Sequence, residues 1–128
     1  MMSGLPENLK YAKTHEWAKL EGDNLVRVGI TDFAQAELGD LVFVELPKVG
    51  RKLNAGEQCA VVESVKTASD LFSPVAGEVV AVNEDIVDAP EQVNDDAYEA
   101  WLFCIKAEDL ADLDALMDAE SYEQMIAD

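Results

Sequence analysis

The sequence predicts a mainly β protein with one short internal helix and a helical C-terminal end, on three observations. NLVRVGI alternates Val26, Val28 and Ile30 with Leu25, Arg27 and Gly29, as a half-buried strand does. LVFVEL and WLFCIK are short runs dense in β-branched and aromatic residues. After Ala107 the period changes: Leu110, Leu113, Leu116 and Met117 share one helical face, and Tyr122, Met125 and Ile126 share that of a second segment.

In chain order, residues 1–12 read as an N-terminal tail. HEWAKL and NLVRVGI read as two strands joined by EGD, a turn-type cluster. TDFAQAELGD reads as a short helix: Thr31 is placed to cap it, Asp32 suits the positive end of its dipole, and Gly39 can stop it. LVFVEL is a strand ended by Pro47 and Gly50. From Ala55 the pattern is nearly symmetric about Lys66. AGEQCAVVE leads in, SVKTAS forms a small polar tip, and DLFSPVAGEVVAV leads out, with Pro74 marking an edge or a bend. The simplest geometry is a hairpin with Lys66 at or next to its exposed turn. Residues 83–100 read as an acidic irregular loop holding at most a helical turn, and WLFCIK is the last strand. Residues 107–128 read as two short helices, broken near Asp118 and packed on the β core within a single domain spanning 1–128.

The 128 residues suffice for one cored domain, and 49% hydrophobic with 28% charged residues is ordinary globular composition. A net charge of −18 argues against nucleic acid and anionic membranes as partners. It first describes a solvated acidic surface, and also suits docking on proteins with basic patches. No apolar run approaches the roughly 20 residues needed to span a bilayer. MMSGLPENLKYAK has neither a secretory apolar core nor an Arg/Ser-rich transit character, so a cytoplasmic setting is expected. Cys59 and Cys104 sit in separate apolar runs without a CxxC pattern, and His15 is the only histidine. That pattern speaks against a metal site and against a Cys-His nucleophile, and for buried structural thiols. His15 reads as a structural histidine beside Trp17.

Lys66 is one positive charge in CAVVESVKTASDLFSPVAGEVVAV, among small and apolar residues. From spacing alone it reads first as a solubilising edge lysine, and second as an attachment point for a cofactor that swings between active sites. VVESVKTASDLFSPVAGEVVAVN closely resembles the lipoyl-attachment segment of the H proteins of the glycine cleavage system. YAKTHEW, VGITDFAQAELGDLVFVELPKVG and LDALMDAESYEQMI resemble the same family in the same order, so the resemblance covers nearly the whole chain. Val65 and Thr67 flank Lys66, whereas biotinyl domains carry methionines there and the lipoyl domains of 2-oxoacid dehydrogenases an aspartate just before the lysine.

The resemblance implies a flattened β barrel-sandwich hybrid of the lipoyl/biotinyl type. It implies a non-catalytic carrier with lipoate in amide linkage on Lys66. In the family's cycle a PLP-dependent glycine decarboxylase (P protein) loads an aminomethyl group on the arm, and a tetrahydrofolate-dependent aminomethyltransferase (T protein) unloads it. A flavin-dependent dihydrolipoamide dehydrogenase (L protein) then restores the disulfide. Glu16 and Asp70 match family positions that face the carried group, with Thr14 as a further polar candidate, and Glu63 and Ser64 match those read by the lipoyl-attaching enzyme. The alternative is an H-like protein acting in lipoate transfer rather than glycine breakdown. In DDAYEAW, Ala97 and Ala100 stand where the family commonly has proline and glycine, which leaves the conformation of that loop open.

Overall fold

The structure, a computed structural model, describes residues 5–127, so positions 1–4 of the expected tail and position 128 lie outside the described residues. Six strands lie side by side in one antiparallel sheet: β1 (Lys10–Tyr11), β2 (Glu16–Gly22), β3 (Leu25–Ile30), β9 (Phe103–Ala107), β8 (Gly77–Val82) and β5 (Lys52–Leu53). The second sheet is β4 (Leu41–Glu45), β6 (Gln58–Ser64) and β7 (Ala68–Phe72), with β6 in the middle. Val26, Val28 and Ile105 of the large sheet share one buried cluster with Val44, Val62 and Leu71 of the small one. The expected flattened sandwich is therefore present, held by apolar burial between two sheets that do not join into a closed barrel.

The expected alternation holds in β3, whose Val26, Val28 and Ile30 are buried. Helix α1 (Asp32–Leu38) begins where its cap is, with the Thr31 hydroxyl accepting the Ala34 N–H at 3.2 Å. It ends at Gly39, whose φ of 87° lies in the left-handed region that glycine adopts without strain. Beyond β7, Pro74 marks a bend: the chain leaves the small sheet and enters the large one as β8. At Gly77 a Cβ would lie 2.1 Å from the carbonyl oxygen of Lys106 on the neighbouring strand. Because that obstacle is backbone, Gly77→Ala is expected to force β8 from β9 and lower stability by about 2 kcal/mol, read as a drop in urea midpoint.

Three segments differ from their sequence reading. The tail is packed from Leu5 onward. Leu5, Leu9 and Tyr11 join Trp17, Ala119 and Tyr122 in a second buried cluster on the outer face of the large sheet. The interspersed Glu7, Asn8 and Lys10 hid this, because Ala119 and Tyr122 arrive from the other end of the chain. The acidic 83–100 segment holds two short helices, α2 (Glu84–Asp88) and α3 (Glu91–Asp95), anchored by the fully buried Ile86 and Val93. Two apolar residues among many acids give no periodic signal, yet they suffice to pin the segment. At the C-terminal end, α4 (Ala111–Asp114) and α5 (Ala119–Ala127) are separated before Asp118. Met117 is not helical: its backbone exchanges two 2.8 Å hydrogen bonds with Tyr11. The open loop also resolves, since the Trp17 indole donates to the Ala97 carbonyl at 3.0 Å and Ala100 is buried without a positive φ.

Candidate functional site

Lys66 sits in the turn between β6 and β7, where strand register pairs Glu63 with Ala68. The turn is built by Ser64. Its hydroxyl accepts the N–H groups of Lys66 and Thr67, both at 3.1 Å, while its own N–H donates to the Thr67 carbonyl at 2.7 Å. A serine here makes the backbone's turn bonds locally, which explains why the chain reverses over three residues. Lys66, Val65 and Thr67 are all exposed, Val65 to 69%. The ammonium-bearing chain does not project freely: it lies over Gly39, where a Cβ would be 3.2 Å from the Lys66 Cε. The Val65 N–H donates to the Asp40 carbonyl at 3.0 Å, tying the tip to the end of α1.

Beside the tip, a cavity of about 240 Å³ runs between α1 and β7, with apolar walls from Ile30, Phe33, Leu38 and Leu71 and polar ends from Thr14, His15, Glu37 and Ser69. Thr14 also borders a larger cavity of about 630 Å³, walled by Phe72, Pro74, Leu116 and Met117 with Lys13, Glu16 and Asp112 among its charged groups. Glu16, 1% exposed, is the buried carboxylate between these regions. It accepts a hydrogen bond from the Thr14 hydroxyl, and its other oxygen accepts the Phe72 N–H at 3.0 Å. Burial pushes the Glu16 carboxyl up to about 7, against the opposing effect of those two donors. A carboxyl so placed is hydrogen-bonded but has no ion-pair partner among the described residues, and it gains from a cation arriving in the cavity.

Of the residues singled out from sequence, the fold joins Thr14 to Glu16 and links Glu16 to β7 through Phe72, two residues past Asp70. Asp70 itself is exposed on β7, opposite Val61, and lines neither cavity. Glu63 is exposed at the end of β6, opposite Phe43, and Ser64 organises the turn. His15 packs against Phe33 and Tyr122 rather than Trp17, with ring centroids 5.0 and 5.7 Å away, and its Nδ1 lies 2.7 Å from the Tyr122 hydroxyl. His15 itself has a positive φ of 78°, immediately before β2. Burial holds the His15 ring below its ordinary value, partly offset by Glu37. Phe33, Leu38 and Glu37 were not singled out as site residues. Their only signal was in α1, where Phe33 stands four residues before Glu37 on one side of the helix.

Cys59 and Cys104 are buried free thiols. Among the described residues no group of three or more His, Cys, Asp or Glu is placed to hold a metal, and no helix is long and apolar enough to cross a membrane.

A family model described as glycine cleavage H-protein matches residues 9–128. The glycine cleavage system H protein of Methylococcus capsulatus is 62% identical over 121 residues, covering 94% of this chain and 95% of that protein. The one from Azoarcus sp. is 58% identical over 127 residues, covering 99% of this chain and 100% of its own length. A crystal structure of a glycine cleavage system H protein from Mycobacterium marinum superposes with a TM-score of 0.89 at 40% identity, over 96% of this chain and 99% of that one.

Proposed function

The chain belongs to the glycine cleavage H-protein family, the lipoyl carriers of glycine cleavage, and we propose that Lys66 is the residue that bears its lipoyl group. The observation that carries this reading is a lysine presented on an ordered three-residue turn, exposed to an attaching enzyme and laid over Gly39 beside an apolar slot. The residues present fit the group: Lys66 supplies the amine for the amide, and Phe33, Leu38 and Leu71 supply apolar wall. When attached, lipoate supplies a redox-active dithiolane that accepts, carries and releases the aminomethyl group derived from glycine.

The protein's own residues position and shelter. Glu16, held by Thr14 and the Phe72 N–H, is a desolvated acceptor for the ammonium of the carried group, and the apolar walls limit water near it. Asp70, exposed on the β7 face two residues from that contact, offers a second carboxylate to an arm approaching from outside. Glu63 and Ser64 flank the lysine where the attaching enzyme must grip, and Ser64 acts there by shaping the turn. On this reading the protein carries the group and the partner enzymes carry out the chemistry.

The partners on this reading are glycine decarboxylase, the aminomethyltransferase, dihydrolipoamide dehydrogenase and a lipoyl-attaching enzyme. A cytoplasmic setting remains the reading carried from the sequence, and two free buried thiols suit a reducing compartment of that kind. The test is exchange of the glycine carboxyl with labelled CO2 by the decarboxylase. Lipoylated protein is expected to support it and the unmodified protein to give only background. A lipoylated protein that gave background alone would move the assignment to lipoate transfer.

A further inference from the structure

The Lys66 turn closes on itself through Ser64, but its residues are exposed, and the Val65 N–H ties it to the rest of the fold at the Asp40 carbonyl. What holds Asp40 therefore decides how well the lysine is placed. Residues 39–41 connect α1 to β4, and Asn94, on α3, spans them. Its Nδ2 donates to the Gly39 carbonyl at 2.9 Å and to the Gln35 Oε1 at 2.8 Å. Its Oδ1 accepts the Leu41 N–H at 2.9 Å. The side-chain amide thus satisfies the backbone on both sides of Asp40 and leaves the Asp40 carbonyl to take the Val65 N–H. An amide is required, because the site asks one side chain to donate at one point and accept at another. Next to Asn94, Val93 is fully buried and fixes α3 to the core.

We propose that Asn94 is the positioning residue for Lys66, locking the Gly39–Leu41 connection as the platform on which the lysine-bearing turn rests. The chain of contacts runs from the buried Val93 through the Asn94 amide to Gly39 and Leu41, then through the Asp40 carbonyl to Val65. Gly39 leaves room for the Lys66 stem, since a Cβ there would lie 3.2 Å from the Lys66 Cε. The acidic 84–99 segment is then a buttress for the turn, reaching it from across the chain. The proposal rests on Lys66 being the attachment residue.

The test compares wild type, Asn94→Asp, Gly39→Ala and Lys66→Arg as full-length proteins, using a lipoyl-attaching enzyme supplied with lipoate and ATP. Asn94→Asp is isosteric, keeps the acceptor for Leu41 and sets an oxygen against the Gly39 carbonyl. It is expected to raise KM for modification about tenfold with kcat changed less than twofold, since the enzyme must order a loosened turn. Amide exchange at Val65 is expected to rise about tenfold while Ile105, in the large sheet, keeps its protection. A purely structural role would instead raise exchange at both amides together. If Asn94→Asp is too unstable to assay, Gly39→Ala replaces it. That variant crowds the Lys66 Cε and strains the φ of 87°, with the same KM and Val65 effects expected. Unchanged KM and unchanged Val65 exchange in the variant assayed would overturn the proposal, as would equal loss of protection at Val65 and Ile105. Failure of the underlying reading looks different: Lys66→Arg would still gain the lipoyl mass.

Discussion

Lys66→Arg is expected to abolish lipoyl attachment while leaving the fold intact. Arginine keeps the positive charge and most of the aliphatic stem over Gly39, but its guanidinium is not an acceptor for an acyl group at neutral pH. The turn is made by Ser64 and the backbone of Thr67, with no contribution from the Lys66 side chain. Stability is therefore expected to change by less than about half a kcal/mol, as for other exposed positions. Intact-mass and peptide mass spectrometry after modification should show the adduct on the peptide containing Lys66 in the wild type and none in the variant. An adduct persisting on Lys48, Lys52 or another lysine would reject the assignment. A chain that unfolds on this substitution would reject the claim that the Lys66 side chain takes no part in holding the turn. Glycine–CO2 exchange is expected to fall to background with the adduct.

The second large effect concerns Glu16, and its sign is unusual for a carboxylate. Most paired carboxylates stabilise a fold as they ionise, whereas Glu16 has its folded value raised from 4.5 to about 7 by burial. Between those values the unfolded chain has already released the proton that the folded chain keeps. Stability therefore falls as pH rises from about 4.5 through 7, by about 3 kcal/mol in total for a shift of this size. The charges near this carboxyl do not cancel the effect. Lys13 and Asp112 line the same cavity with opposite signs, and the Cys59 thiol and Tyr122 phenol, each raised to about 12, stay neutral in this range.

Glu16→Gln keeps an oxygen for the Phe72 N–H and a polar group for Thr14, yet has nothing to ionise. Its stability relative to the wild type is therefore expected to improve by about 2 to 3 kcal/mol between pH 5 and pH 8, measured as urea midpoints across that range. A gap between the two proteins that does not change with pH would show that Glu16 does not titrate in this window. The same substitution is expected to harm function. Without the anionic acceptor, the loaded protein should lose its one-carbon amine about tenfold faster at pH 8, followed as ammonia and formaldehyde release. A variant both more stable and less retentive is the pattern expected of a group kept under strain for its chemistry. Equal retention would remove Glu16 from the role proposed for it.

The two effects depend on different kinds of information. The turn around Lys66 was legible because its bonds are local: Ser64 reaches two and three residues ahead, and small polar neighbours leave the lysine open. Helix α1 was legible for the same reason, since Thr31 caps Ala34 and Gly39 closes on Gln35 within one stretch. Strand β3 carried its own two-residue period. Glu16 could be matched to a family position, but its burial could not be read. That property arises only when Phe72, 56 residues away, turns its N–H toward the carboxylate and the C-terminal segment closes over the cavity. Position in the chain likewise suggested only an N-terminal tail, whose Leu5, Leu9 and Tyr11 join Ala119 and Tyr122 in the second cluster.

Asn94 marks the same boundary most sharply. In sequence it is one polar residue in an acidic run, with nothing to distinguish it from Asp95 or Asp96. Its meaning comes from contacts 53, 55 and 59 residues away, made once α3 is pinned by Val93. By itself the sequence determined the strand periods, the capped helix, the lysine turn and the family. The tertiary structure alone decided which carboxyl is desolvated, where the lysine stem lies and which side chain braces its platform. Periodicity and turn chemistry are properties of neighbouring residues, whereas burial and hydrogen-bond partnership exist only after distant segments have closed on one another.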